Sequence, residues 1–209
     1  MEIEYYSVNS PLNFKIVMKK IIYGLAGFVA LLSLSSCGYN GMVQLDEQVQ
    51  SQWAQVQNVY QRRSDLIPNL VNTVKGAANF EKSTLVQVME ARAKATAVTV
   101  DPTKLSPESI QKFQAAQGNL SQSLGRLLVA VENYPQLKSN QNFLELQSQL
   151  EGTENRITVE RQRFNEVTQA YNAKIRSFPD NLTASMFGFQ KKGYFQAEAS
   201  AQKAPQVQF

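Results

Sequence analysis

The sequence predicts an all-α fold, an antiparallel up-down-up-down four-helix bundle with long coiled-coil-like helices. Three observations carry this expectation. Apolar residues recur at alternating spacings of three and four through most of the chain, which is the period of a helical seam and not of a strand. The 209 residues hold 23 glutamines against ten glycines and seven prolines, a balance that suits long helices with amide-rich outer faces. The breaks between periodic stretches are short, so consecutive helices must lie side by side in opposite directions.

The first seam runs Val49, Trp53, Val56, Tyr60, Arg63, Ile67, Leu70, Val74 and Ala77. Its phase continues through Pro68, which removes one backbone donor and kinks a helix without having to end it. One helix kinked at Pro68 is therefore expected, reaching about residue 78. A second is expected over 81–98, with Leu85, Val88, Met89 and Ala95 inward and Asp101-Pro102 beyond its end. Ser106 reads as an N-cap, with Pro107 at the first helical position. The third seam is Ile110, Phe113, Gln117, Leu120, Leu124, Leu127, Val131 and Tyr134, and Pro135 stops it. The fourth is Phe143, Leu146, Leu150, Thr153, Ile157, Glu160, Phe164, Val167, Tyr171, Lys174 and Phe178, ended by Pro179. The aromatic segment 186–195 has no clean period and is expected to cap the bundle end from which the first helix starts. Residues 200–209 read as a disordered tail.

Ahead of the bundle lies an address. Met18 is followed by Lys19 and Lys20, an apolar run over 21–34, and then Ser35-Ser36-Cys37-Gly38. This is the layout of a secretory signal peptide, and its apolar run falls short of the roughly 20 residues a membrane-spanning helix needs. Leu34-Ser35-Ser36-Cys37 resembles the bacterial lipobox, which places cleavage between Ser36 and Cys37 and makes Cys37 the lipidated first residue of the mature chain. Residues 1–17 then read as an upstream extension from an early start, 18–36 as the lipoprotein signal peptide, and 37–44 as a lipidated tether. Residues 45–199 form the bundle with its aromatic cap. The first expected partner is a membrane, held through lipid on Cys37. Gly38 is not the Asp that retains some lipoproteins in the inner membrane of diderm bacteria, which favours the outer membrane, facing the periplasm.

Composition excludes much chemistry. Histidine is absent, which removes the usual general base at neutral pH and the commonest metal ligand. A single cysteine permits no internal disulfide and no thiolate zinc site. The net charge of +4 arises from scattered Lys and Arg, with no basic stripe for nucleic acid. No cofactor motif or metal-ligand spacing is present, so no catalytic residue is assigned.

The candidate functional site is charge inside the seams, where Arg63, Glu160 and Lys174 stand at positions that should be apolar. A mid-helix charge of this kind needs a partner. If Leu45 lies level with Phe178, Arg63 and Glu160 share a layer. Arg62, Asp65 and Asn69 flank the first, and Glu154, Arg156 and Arg161 the second, so these eight residues form a polar band. It is either a register-setting structural pair or a binding site for a small anionic ligand beside Pro68.

Longer motifs carry a family resemblance. The first helix reads Trp53-Ala54-Gln55-Val56-Gln57-Asn58, then Tyr60-Gln61-Arg62-Arg63, then Asp65-Leu66-Ile67-Pro68-Asn69-Leu70-Val71. Further along stand Val74-Lys75-Gly76, Ala91-Arg92, Glu132-Asn133-Tyr134-Pro135, Thr153-Glu154-Asn155-Arg156-Ile157, Tyr171-Asn172 and Phe178-Pro179. Together they resemble the LemA family over nearly all of the mature chain. The resemblance implies a membrane-anchored, all-helical domain outside the cytoplasm and supplies no reaction. Two features depart from it: a lipobox stands where many relatives have a transmembrane helix, and Phe80-Glu81 replaces a common His-Glu pair. The expected function is a non-enzymatic scaffold or adaptor for another envelope protein. The alternatives are an envelope sensor or ligand-binding module using the polar band, and a hydrolase using paired carboxylates.

Overall fold

A computed structural model describes residues 11–76 and 80–197, with side chains placed for 17–25, 38–76 and 80–197. The side chains of Ser36 and Cys37, Ala77 and the 200–209 tail lie outside the described residues. Within them the chain is all-helical: α1 (Pro11–Lys75), α2 (Lys82–Ala97), α3 (Pro107–Val131), the single turn α4 (Pro135–Lys138), α5 (Gln141–Lys174) and the short α6 (Asp180–Phe187). Helix α1 is continuous through Pro68. Ser106 caps α3 by accepting from the Ser109 amide, with Pro107 at the first position, and Asn140 caps α5 by accepting from the Phe143 amide.

The 3–4 spacing locates the core well, because it is a local property of each helix. Every α1 seam residue from Val49 to Val74 is buried, Arg63 included. On α3 the run from Ile110 to Val131 is buried likewise, as are Phe143, Leu150, Thr153, Ile157, Phe164 and Tyr171 on α5. Two expectations need correction. Met89 is exposed and Ala91 takes the inward place on α2, since inward positions there follow Leu85 and Val88 by threes. Phe178 is exposed, because α5 stops at Lys174 and the seam ends with it.

The core divides into two apolar clusters. The lower, nearer the start of the bundle, gathers Met42, Val49, Trp53, Val56, Tyr60, Ile110, Phe113, Ile157, Phe164 and Tyr171, and the upper Ile67, Leu70, Val74, Leu85, Val88, Leu120, Leu127, Phe143 and Leu150. Helix α1 packs chiefly along α5 and α2 along α3. Gly41 of α1 lies beside Lys174 at the end of α5, while Arg63 lies beside Glu154, so these two helices are antiparallel. Residues 38–44, expected as a tether, continue α1: Met42 is buried, and a side chain at Gly38 would run into the Asp180 carboxylate.

The C-terminal segment meets the expected bundle end only with its first part, where Phe187 and Phe189 pack on Tyr39. Gly188 terminates α6 in the left-handed region, with φ of 76°, and the chain turns back along the flank of α5. Phe195 enters the lower core beside Trp53, Phe113 and Phe164, while Met186 and Phe187 stay exposed. Gly193 passes so close to α3 that a Cβ would stand 2.7 Å from Pro107 Cα, and its amide donates to the Leu105 carbonyl at 2.8 Å.

Candidate functional site

The expected polar band resolves into one buried centre and several separate surface groups. Arg63, only 2% exposed, lies between the two apolar clusters. Its Nη1 donates to Ser121 Oγ at 2.8 Å and to Glu154 Oε2 at 3.0 Å. Its Nη2 donates to Gln117 Oε1 at 2.6 Å and to the Gln117 carbonyl at 3.3 Å, and the guanidinium lies 5.0 Å from the Tyr60 ring centroid. Gln117 Nε2 in turn donates to the Ala95 carbonyl at 3.3 Å. One layer therefore ties together α1, α2, α3 and α5, using the planar fork that suits arginine and not lysine.

Pro68 contributes to this centre indirectly. Lacking an N–H, it leaves the Ser64 carbonyl free, and Arg92 Nε of α2 donates to that oxygen at 2.8 Å. The arginine of the Ala91-Arg92 motif thus fastens α2 to α1 at the backbone acceptor that Pro68 leaves free mid-helix.

The expected Arg63–Glu160 pair is not formed. Glu160 accepts from Gln52 Nε2 at 2.6 Å and from Arg163 at 3.0 Å, and Arg63 meets Glu154 instead, six positions away. The register fails because α1 is packed from Gly38 onward and α5 ends at Lys174, which slides the two helices past the alignment that Leu45 and Phe178 would set. Of the remaining residues, Arg62, Asp65, Asn69 and Arg156 are exposed, with Asp65 accepting from Gln61 on its own helix. Arg161 leaves the band, donating to the Gln196 carbonyl at 2.8 Å and covering the Phe195 ring at 5.0 Å.

A second set of polar groups was not selected from the sequence. Asn172 exchanges two hydrogen bonds of 2.9 Å with the Lys192 backbone, and Asn165 does the same with Phe195. Gln114 pairs likewise with the backbone of Gln196 at 2.8 and 3.0 Å. These amides act towards the extended segment as a neighbouring strand would. The seven-residue spacing of Asn165 and Asn172, two helical turns on one face, was the signal available in the sequence.

Lys192 begins this stretch in a buried corner, where its ammonium lies 2.6 Å from Asp46 Oδ1 and 5.2 Å from the Tyr171 ring centroid. The corner borders a cleft of about 640 Å³ that also meets Thr103, Lys104 and Gln190. Because Asp46 and Lys192 neutralise each other, the cleft presents no free buried charge. Burial, and then the negative charge of Asp46, pushes the Tyr171 phenol up to about 12. The folded chain thus holds this proton more tightly than the unfolded chain, whose tyrosines ionise near 10. The contribution to stability is intact below about pH 10 and is lost as pH rises through about 12. In alkaline unfolding, the wild-type curve should fall more steeply across that window than the Tyr171→Phe curve. Parallel curves would contradict the assignment.

Among the described residues no group of three or more metal-ligating side chains comes together, and no helix is long and apolar enough to cross a membrane. The LemA family profile matches residues 52–209, which takes in the Arg63 centre and the amide ladder. The chain belongs to the LemA family. It is also 26% identical over 193 residues to magnetosome protein MamQ 2 of Paramagnetospirillum magneticum, covering 84% of this chain and 71% of that one. A second MamQ, from Magnetospirillum gryphiswaldense, is 26% identical over 196 residues, with 86% and 72% covered. Protein LemA of Metamycoplasma hominis is 24% identical over 158 residues, with 76% and 68% covered. The LemA match begins at Gln52, so the signal-like segment and Asp46 lie before it.

Proposed function

We propose that this LemA-family protein is a lipid-anchored, non-enzymatic scaffold or adaptor that holds another protein at the bacterial cell envelope. The observation that carries the reading is the use made of the interior polar groups. Arg63, Gln117, Arg92, Asn165 and Asn172 are all engaged in joining helices or fastening the C-terminal segment, and the chain has no histidine. The four long helices are read as an up-down-up-down bundle, kinked at Pro68, whose long outer faces are free for a partner. The relatives' names, magnetosome protein and LemA, state no reaction. Cys37 supplies the anchor in this reading, with the outer membrane, periplasm-facing, as the site.

The anchor is tested by metabolic labelling with a fatty acid. Cys37→Ala should take up no label and remain at precursor size, because no other residue can carry the thioether-linked lipid; label on that variant overturns the anchor. The scaffold role is tested by photo-crosslinking from the exposed positions Leu144 and Val159 of α5 in intact cells. A discrete adduct with one envelope protein is expected. Absence of any adduct from both positions counts against the scaffold.

One observation favours a small-ligand module as a second reading. Arg63 Nε and the Ser64 hydroxyl are buried without a hydrogen bond, and Ser64 borders a cleft of about 170 Å³ between α1, α2 and α3. A melting temperature that rises with a small anion, and loses that rise in Ser64→Ala, would select it.

A further inference from the structure

We infer that α6 and the residues at its two ends form a membrane-contact face, seated in the interface of the bilayer that holds the anchor. The inference rests on the anchored reading above and adds a second, non-covalent contact to it.

The face is defined by what it leaves uncovered. Phe178 is 82% exposed, Leu182 63%, Met186 79% and Phe187 59%. Elsewhere on the bundle the exposed large apolar residues stand singly, as Val129, Leu144 and Val159 do, or as the less exposed pair Val86 and Met89 on α2, and scattered ones are ordinary for a protein surface. Four within ten residues make a patch, and patches mark interaction sites. Helix α6 turns its small residue inward, since Ala184 is 3% exposed and belongs to the lower core. At about 100° per residue, Leu182 and Met186 lie on the opposite side from Ala184 and one turn from each other.

Position decides the occupant. The Tyr39 ring packs against Phe187, with centroids 4.8 Å apart, and against Phe189 at 5.8 Å, while Gly38 abuts Asp180 at the start of α6. Cys37 precedes Tyr39 by two residues of the same helix, about 3 Å along its axis. A lipid on Cys37 would bring the bilayer surface to the level of Phe187. If the leader is retained instead, the apolar run 21–34 enters the membrane at the same end. Either way the exposed side chains of α6 meet lipid before they meet anything else.

Charge agrees with this placement. Arg176, just before the patch, and Lys191, just after it, are exposed, while Asp180, the acidic residue within α6, is paired with Lys174 at 2.8 Å. An apolar face bordered by cations suits an interface with anionic headgroups, into which such a face settles by about 5–10 Å.

The test uses the full chain purified with its anchor and reconstituted in vesicles of phosphatidylglycerol and phosphatidylcholine containing brominated lipid. An environment-sensitive fluorophore is placed at Met186→Cys or, as the control at the far end of α3, at Val129→Cys. Both side chains point outward, so labelling leaves the packing intact. Quenching several-fold stronger at 186 than at 129, weakening when phosphatidylglycerol is omitted, is the expected result. If the chain floats with vesicles yet 186 is quenched no more than 129, the membrane face is wrong and the anchor stands. If the chain does not float with vesicles at all, both are wrong. Self-quenching between labels at 186 without lipid quenching would assign the face to a second copy of the chain and overturn the inference.

Discussion

Arg63→Ala is expected to lower the unfolding free energy by about 3–5 kcal/mol, the range for breaking a buried charged network by removing one member. The loss has two parts. The guanidinium fills the layer between the apolar clusters, so its removal leaves a void beside Tyr60 and Ile67. It also strips Gln117 Oε1 and Ser121 Oγ of the donor they share, and a buried acceptor left unsatisfied costs about 1–3 kcal/mol. Glu154→Ala should cost far less, about 1 kcal/mol or under, because the Glu154 side chain is 51% exposed and solvent screens its charge. The asymmetry separates this arrangement from an Arg–carboxylate pair, in which both single changes would be comparably severe.

The double variant sharpens the point. Replacing Arg63 and Gln117 together by leucine removes the charge and its principal neutral partner, leaving apolar side chains facing one another across α1 and α3. Its cost should fall below the sum of the singles by about 0.5–3 kcal/mol, the range for residues sharing one network. Urea unfolding of the wild type, Arg63→Leu, Gln117→Leu and the double variant measures this. Strict additivity would mean that the Arg63 layer is not the junction of the four long helices.

What the sequence revealed and what it did not divide along one physical line. Seam burial follows from the helical period, which any single helix carries by itself, so Trp53, Ile67, Phe113 and Phe164 could be placed inward without a partner in view. Register is a property of two helices at once. Nothing in the segment around Glu160 records that Gln52 lies beside it, and the Arg63–Glu160 expectation failed by six positions for that reason. Gln117 was legible as a polar residue in a seam, and a second such misfit opposite Arg63 was a better clue than the flanking charges, which mostly face solvent. The C-terminal segment had no legible structure because extended backbone held by side-chain amides imposes no period on its own residues. Its partners, Asn165 and Asn172, carry only their seven-residue spacing as a sign and otherwise look on their own helix like outward polar positions.

Phe195→Ala is the second change with a large expected effect, about 3–5 kcal/mol, as for other fully buried phenylalanines. The ring stacks at 6.1 Å on Trp53 and meets Phe164 and Phe113 at 5.4 and 6.4 Å, so the segment after α6 completes the lower core. Its backbone is held on both sides of the ring, by Asn165 at Phe195 itself and by Gln114 and Arg161 at Gln196. Loss of the ring should therefore free the whole segment and not only open a cavity. Trp53 reports this directly, being the chain's single tryptophan and 0% exposed: its emission should shift to the red in Phe195→Ala as water reaches the indole. Met186→Ala, which removes a side chain of similar bulk from the exposed face of α6, should leave both stability and emission unchanged. If Phe195→Ala costs under about 1 kcal/mol with Trp53 emission unmoved, the segment lies on the bundle as a covering and is not part of its core.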